Sequence, residues 1–242
     1  MIHYIILSCE KLKYMRKIQR MTWLSSIGID DTYCFLSAKP KDPSKTEYND
    51  TDVYWTNTTD DYLSCPHKYI DYFRNGLKEI NQQWYFFCDD DSFIITHRLK
   101  KLLSDNHRDS ALMIMNPNSY EKPDPPESTR HPEFKEYGET FYPNISPLGG
   151  GGFILNSIAM RKVRDYIVNT ANPAICVNSD RAFAHWFIGS GCNLSNIIFH
   201  NGLCNNSPKD GQLKDERFLS FHRISSTEMI KLNTTILNDQ KR

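Results

Sequence analysis

The sequence predicts an α/β fold, a sheet covered on both faces by helices. Short apolar segments, typical of buried strands, alternate along the chain with amphipathic segments typical of helices. One segment, Trp84–Cys88 (WYFFC), is continuously aromatic and apolar, as expected for a strand buried on both faces. The 242 residues suffice for a domain with a substantial core, and no repeat or boundary divides them. We therefore predict a single domain over residues 1–242.

The chain up to the acidic triplet at 89–91 is predicted to hold four strands and two helices. Short apolar runs indicate the strands, and the polar segment 39–50, which contains two prolines, indicates a loop. The clearest helix carries Ile70, Phe73, Leu77 and Ile80 at spacings of three, four and three, after a start signal at Ser64. The other elements are the strands His3–Ser8, Thr32–Leu36, Val53–Trp55 and Trp84–Cys88, and a helix from about Glu10 to Ser26.

The rest of the chain continues the alternation of strands and helices around a long polar segment. Residues Asn116–Pro147 are rich in proline, and a loop of this length inside a compact domain is often functional. A run of four glycines, Gly149–Gly152, follows it, and a capping-box pattern at Ser225–Glu228 opens a last helix. The remaining predicted helices are Arg98–Ser104, Ser157–Val168 and Asn178–Ile188, and the extended segments are Ala111–Met115, Phe153–Leu155, Asn196–His200 and Phe218–Phe221.

Composition argues against several classes of function. Because 29 basic residues balance 29 acidic ones, no excess positive charge favours nucleic acid as a partner. No apolar run reaches the roughly 18 residues that a membrane span needs, and the first residues lack the pattern of a signal peptide. None of the seven cysteines forms a CxxC pair, which argues against zinc and thioredoxin-type sites and leaves the disulfide status open.

Three consecutive carboxylates, Asp89, Asp90 and Asp91, stand where the strand WYFFC should emerge from the sheet. Ligands of open α/β sheets bind beyond the carboxyl ends of the strands. Because adjacent carboxylates repel one another, a divalent cation such as Mg²⁺ or Mn²⁺ would stabilise them, and Asp89 and Asp91 could share it. Such a cation could neutralise a diphosphate leaving group. A solvated turn, a phosphatase and a nuclease remain alternatives at this point.

Motifs in the first half of the chain resemble those of the Fringe-like β1,3-glycosyltransferases, family 31 of the sugar transferases. The segment Trp84–Ile94 (WYFFCDDDSFI) resembles the family's strand followed by an acidic triplet. Arg20–Trp23 (RMTW) resembles its Arg-x-Thr-Trp element. Asp61–Leu63 (DYL), followed by Lys68, resembles a third family segment.

Further matches follow in the family's order. Tyr142–Pro143 with Gly149–Leu155 (GGGGFIL) resembles a glycine-rich family segment, and Asn178–Asp180 stands at its acidic pair. Phe221–His222 resembles the Ser-Phe-His element of the core-1 galactosyltransferase branch. The resemblance covers nearly the whole chain. It implies a GT-A-type, Rossmann-like mixed sheet sandwiched by helices, a UDP-sugar donor, Mn²⁺ (or Mg²⁺), inversion at the anomeric carbon, and a glycan or glycoprotein acceptor.

The resemblance also implies roles for individual residues. Asp89 and Asp90 would contact the donor, and Asp89 and Asp91 would bind the metal. A histidine would complete the metal site: His222, at the position of the core-1 branch, is favoured over His200, near the position of the Fringe branch. Asp180 would be the catalytic base, although Ser179 replaces the family's acidic neighbour. Four more residues are implied to line the donor site: Arg20, Lys68, Gly150 and Gly151.

Two other functions stay open from the sequence, namely a non-enzymatic relative that binds sugar or nucleotide, and a metal-dependent phosphohydrolase. Family members usually carry a membrane anchor and work in the Golgi lumen. The expected location is therefore the cytoplasm if the chain is complete and the secretory lumen if it is a trimmed piece. Donor sugar, linkage and oligomeric state are not readable.

Overall fold

A computed structural model describes residues 1–40, 50–106, 109–119, 145–147, 149–173, 175, 179–204 and 206–239. Four predicted features lie wholly or largely outside these residues: the Tyr142–Pro143 motif, the start of a helix at Asn178, and the loops 39–50 and 116–147. In the described part, the strands are β1 Ile2–Leu7, β2 Thr32–Ala38, β3 Val53–Thr56, β4 Trp84–Asp89, β5 Phe93–Ile94, β6 Met113–Met115, β7 Pro117–Ser119, β8 Ile145–Pro147, β9 Phe153–Asn156, β10 Ile197–Phe199 and β11 Ser220–Phe221. The helices are α1 Lys13–Met21, α2 Cys65–Asp71, α3 Thr96–Asp105, α4 Ser157–Asn169, α5 Ser179–Gly189 and α6 Ser226–Asp239.

Seven of these strands form one mixed sheet in the order β10-β6-β9-β4-β1-β2-β3. Strand β1 is parallel to both of its neighbours, β4 and β2, whereas β9 runs antiparallel to β4 and β6. The chain leaves β1 towards β2 on one side and later returns to β4 on the other. The carboxyl ends of β1 and β4 therefore flank a topological switch point, where ligands of such sheets bind. The predicted α/β class is confirmed.

The core lies on both faces of this sheet. Phe86 of β4 packs into one hydrophobic cluster and Phe87 into the other, since successive side chains of a strand point to opposite faces. Phe87 stacks on Phe153 with ring centroids 4.8 Å apart, and Phe183 of α5 meets both rings at 4.7 Å. The prediction that WYFFC is buried on both faces is thus confirmed, and α5 is fixed against the end of β4.

Two predicted helices are shorter than their patterns indicated. The helix expected over Glu10–Ser26 is α1 with a 3₁₀ turn on each side, because the chain breaks at Thr22 and turns Trp23 into the core. The helix expected to reach Ile80 is α2 followed by a π-helical turn that ends at Gly76. A side chain at Gly76 would lie within 3 Å of the rings of Tyr54 and Tyr72, so only glycine lets the chain leave there.

The ends of the long predicted loop are more regular than expected. The three residues 117–119 pair with 145–147 as the antiparallel strands β7 and β8. The capping box at Ser225 and Glu228 is confirmed, because each residue's backbone N–H is bonded to the other's side chain at the start of α6. Among the described residues, no helix is both long and apolar enough to cross a membrane.

Candidate active site

The acidic triplet lies at the switch point because β4 ends in register with β1. Asp89 is paired with Leu7, and the backbone N–H of Asp90 donates to the carbonyl of Leu7 at 2.9 Å. A tight turn then leads into β5, where Phe93 pairs with Phe221 of β11. This short antiparallel ladder brings the residue after Phe221, His222, to the triplet from more than a hundred positions further along the chain.

Asp89, Asp91 and His222 form one cluster. Nε2 of His222 lies 2.9 Å from Oδ1 of Asp91 and 3.4 Å from Oδ2 of Asp89. The three potential ligand atoms lie within 4.8 Å of one another, and all three side chains are half-buried. Burial would lower the pKa of His222, but hydrogen bonds to Asp89 and Asp91 and their charges raise that pKa to about 10.

This donor set fits a divalent cation. Two carboxylate oxygens and an imidazole nitrogen are common ligands of Mn²⁺ and related ions. The carboxylates point to one side of the turn, as expected for alternate residues, and His222 completes the set. A cation would take the place of the proton that His222 shares with the two carboxylates, since imidazole binds metal only when it is neutral.

Asp90 points away from this cluster into the protein and is only 3% exposed. Burial raises the pKa of Asp90 to about 8, and the charges of Asp89 and Asp91 add to the rise. The Ser8 hydroxyl is close enough to oppose that rise, yet the pair falls outside hydrogen-bonding geometry. Oδ2 of Asp90 therefore has no hydrogen-bond partner in the described part of the chain.

The glycine run packs directly against His222. A Cβ atom on Gly150 would lie 2.0 Å from Cε1 of His222, and one on Gly151 would lie 2.5 Å from the carbonyl oxygen of Cys204. Ser92, one residue after the triplet, donates from Oγ to the carbonyl of Gly150 at 2.6 Å. Only glycine allows the backbone to approach His222 so closely, and the glycine loop therefore lies beside the cluster of Asp89, Asp91 and His222.

We expect the substitution Gly150→Ala to weaken Mn²⁺ binding by about tenfold or more, because the added methyl group must push the His222 ring away from Asp91. Isothermal titration with Mn²⁺ would measure the change. Gly211→Ala is the control for loss of a glycine without a side-chain clash: its Cβ atom meets nothing within 4 Å, and the strain of alanine at its φ of +83° does not involve His222. Equal Mn²⁺ affinity in both variants would mean that the position of His222 does not matter for metal binding.

Asp180 approaches the same loop from the first turn of α5. Its Oδ2 accepts a hydrogen bond from the backbone N–H of Gly149 at 3.0 Å. Burial raises the pKa of Asp180 to about 6, with a further contribution from the charge of Asp89, although the Gly149 bond opposes the rise. A carboxylate with this pKa can accept a proton near neutral pH. The glycine run therefore lies between a candidate base and a candidate metal site.

Two other predicted residues have partners within the protein. Arg20 is ion-paired with Asp52 at 2.6 Å and with Asp50 at 3.1 Å. Lys68 is 1% exposed and donates to Asp60 at 2.7 Å and to the carbonyl of Ser8 at 3.0 Å. These contacts give both residues structural roles, and a direct contact with a donor remains a prediction for each.

His200 is not part of the cluster. Its Nδ1 accepts a hydrogen bond from the backbone N–H of Gly202 at 3.1 Å, and burial lowers its pKa. In the part of the chain that the structure describes, the group of potential metal ligands at the triplet contains His222 alone of the two histidines.

Two residues support the site: Gln19, which was not singled out from the sequence, and Trp23, which the sequence placed in a family motif. Buried Gln19 donates to the carbonyls of Asp89 and Ser92 at 3.4 and 3.1 Å, and Trp23 donates to Ser92 at 3.1 Å. A buried polar residue inside an amphipathic helix is the one signal that could have indicated Gln19. Both contacts fix the turn that carries the triplet.

A surface groove of about 460 Å³ lies elsewhere, at the amino ends of β1 and β4. It is lined by Met1, Trp84 and Lys100, among others, and holds none of the clustered ligands. This groove lies at the opposite ends of the strands and contains no cluster of potential metal ligands among the described residues. We therefore place the candidate site at the triplet.

Comparison with known proteins finds one matching family and several similar solved structures. The family model described as galactosyltransferase matches residues 15–172. No curated protein matches this chain in sequence. The solved structure of the bifunctional glycosyltransferase WbbM, in its apo form, is 10% identical with a TM-score of 0.53, and the match covers 100% of this chain and 52% of that one. The chain therefore spans about half the length of WbbM, and at this identity the likeness shows a shared GT-A-type fold alone.

Two further structures are similar more distantly. The galactosyltransferase LgtC, in complex with donor and acceptor sugar analogues, is 8% identical over 97% of this chain and 96% of its own, with a TM-score of 0.49. A glycosyltransferase involved in glycosylation of the major capsid of PBCV-1 is 12% identical over 97% of this chain and 98% of its own, with a TM-score of 0.43. At these TM-scores both structures are only distantly similar to this chain.

Proposed function

Because the chain belongs to the galactosyltransferase family, we propose that it transfers a sugar from a UDP-sugar donor to a hydroxyl group of a glycan or glycoprotein acceptor. The proposal includes a β1,3-type linkage, inversion at the anomeric carbon and dependence on Mn²⁺ (or Mg²⁺). One observation carries it most strongly. A candidate metal site and a candidate base, Asp180, lie on either side of one glycine loop at the switch point of the sheet.

The proposed reaction is a single displacement. The acceptor oxygen attacks the anomeric carbon and forms the new bond while the bond from that carbon to the diphosphate breaks. Asp180 accepts the proton of the acceptor hydroxyl, so that the attacking oxygen does not become a cation as the new bond forms. The cation held by Asp89, Asp91 and His222 would supply positive charge to the departing diphosphate. Inversion follows from attack on the face opposite the leaving group.

The residues around Asp180 support its role as the base. Gly149 fixes one carboxylate oxygen at 3.0 Å, and the proposal assigns proton transfer to the other. Its raised pKa makes it a stronger base than an exposed aspartate, while it remains largely ionised at neutral pH. Ser179 adds no second negative charge beside it.

The first test is nucleotide binding. UDP, GDP and common UDP-sugars would be titrated calorimetrically and by thermal shift, each with and without Mn²⁺. We expect UDP to bind and to stabilise the protein only when Mn²⁺ is present. Failure of every nucleotide to bind would contradict the proposal. Binding of UDP-sugar without release of UDP on any acceptor or on water would favour a non-enzymatic relative of the family.

A further inference from the structure

An arginine is buried near the triplet without a hydrogen-bond partner for its innermost nitrogen. Arg16 of α1 is 1% exposed. Its guanidinium carbon lies 5.3 Å from the centre of the Trp55 ring, and Nη1 is fully buried with no acceptor among the described residues. Burial lowers the pKa of Arg16, and the nearby charge of Asp50 opposes this only in part. Buried polar groups without partners are rare in folded proteins and often indicate a ligand or a solvent molecule.

The position of Arg16 ties it to the candidate site. Gln19, one turn further along the same helix, contacts the backbone of Asp89 and Ser92. Trp55 pairs with Ser37 next to the carboxyl ends of β2 and β3. Arg16 therefore lies on the side of the switch point that leads from the triplet towards these two strands.

Two more buried atoms on this side of the triplet have no partner among the described residues. They are Oγ of Ser8, directly after β1, and Oδ2 of Asp90. With Nη1 of Arg16 they are three buried polar atoms near the triplet without partners among the described residues, and Ser8 and Asp90 also lie close to each other. A ligand with its own polar groups would satisfy such a set, whereas an apolar ligand would not.

The charges nearby decide which part of a ligand suits Arg16. A guanidinium donates hydrogen bonds and accepts none, so its partner must offer acceptor oxygens or nitrogens. The carboxylate of Asp50 already acts on Arg16 and would repel a second anion at that position. An uncharged carbonyl group therefore fits better than a phosphate. In a nucleoside diphosphate whose phosphates lie at the metal site, the carbonyl groups belong to the base.

We propose that Arg16, whose guanidinium lies over the ring of Trp55, donates hydrogen bonds to the uracil carbonyl oxygen that cytosine replaces with an amino group, and so selects UDP over CDP. This inference rests on the proposed function and adds the residue that reads the nucleotide. Access of the base to Arg16, which is 1% exposed, requires the surrounding side chains to open. A planar guanidinium next to an indole ring is restricted in the directions of its N–H groups, which suits recognition of a planar ring.

The test compares three ligands, all in the presence of Mn²⁺: UDP, CDP and inorganic pyrophosphate. Cytosine has an amino group in place of one uracil carbonyl, and pyrophosphate lacks the nucleoside. Calorimetry would be run on the wild-type protein, on Arg16→Met, and on Lys17→Met, which removes one charge from an exposed position of the same helix. We expect Arg16→Met to weaken UDP binding about tenfold or more, the effect of one charge-assisted hydrogen bond, with pyrophosphate binding unchanged.

Wild-type protein should bind UDP about tenfold more tightly than CDP, and Arg16→Met should lose most of this preference while Lys17→Met keeps it. Equal weakening of UDP and pyrophosphate would overturn the assignment to the base, and so would wild-type protein without a preference. If Arg16→Met does not fold, Arg16→Lys is tested in the same way, since it keeps the charge and loses the fork. Failure of the wild-type protein to bind UDP at all would instead contradict the proposed function.

Discussion

Replacing Asp180 with asparagine is expected to lower the turnover number for sugar transfer by about 10²–10⁴, the usual contribution of a general base. Asparagine has nearly the same shape, and its carbonyl oxygen can still accept the hydrogen bond that Gly149 donates to Oδ2 of Asp180. The glycine loop should therefore keep its place beside His222, and Mn²⁺ and UDP should bind as in the wild-type protein. Only the capacity to accept a proton is lost.

The pH dependence separates this role from a structural one. The base form of Asp180 is the deprotonated carboxylate, which predominates above its pKa of about 6. We expect kcat/KM for transfer to be constant above that pH and to fall about tenfold for each pH unit below it. Asp180→Asn should remove this dependence from the residual rate.

Initial rates of UDP release measured from pH 5 to pH 9 would test both expectations. Asp105→Asn, at the exposed end of α3, is the matched control and should behave as the wild-type protein does. Normal turnover by Asp180→Asn would remove this residue from the mechanism. A loss of UDP binding in that variant would show that Asp180 supports the donor site instead.

The central part of the fold could be predicted from sequence because its signals are local. A strand such as WYFFC is continuous, buried on both faces and followed at once by charged residues, so its type and its end can both be read from composition. The alternation of such runs with amphipathic helices then indicates the layers. What the local pattern cannot give is where a helix stops when its last turn is displaced by tertiary packing, as at Thr22 and Gly76.

The candidate site also has a part that the local sequence indicates and a part that only the tertiary structure shows. Asp89 and Asp91 follow from a position in the chain, whereas His222 reaches them through the pairing of β5 with β11, which no spacing reveals. Its assignment came from the resemblance of Phe221–His222 to a family element. Arg16, Arg20 and Lys68 carry the same positive charge, so charge alone did not distinguish them as donor contacts. Only the structure shows that Arg20 and Lys68 have carboxylate partners. Pairing of ionic groups is a tertiary property and leaves no local pattern.

Replacing Asp91 with asparagine is expected to weaken Mn²⁺ binding by at least about a hundredfold, because loss of residues that merely support a metal ligand costs ten- to a hundredfold. Asp91 makes the shorter of the two contacts with His222, 2.9 Å against 3.4 Å for Asp89. Its side chain is partly exposed, so the amide can be accommodated without a buried unpaired group. The fold should therefore survive while the charge of the metal site falls by one.

The same variant should lose the Mn²⁺-dependent part of UDP binding and, with it, nearly all transfer. Calorimetric titration with Mn²⁺ alone, then with UDP at saturating Mn²⁺, would separate the two effects from each other and from activity. Asp30→Asn is the matched control, since Asp30 is exposed and lines the groove at the opposite edge of the sheet. If Asp91→Asn bound Mn²⁺ as tightly as the control, the cluster with His222 would be an ion pair of the folded protein and the metal would have to bind elsewhere. If it lost Mn²⁺ but still bound UDP at full strength, the donor would be held by protein groups such as Arg16, and the cation would matter only for the departure of the diphosphate.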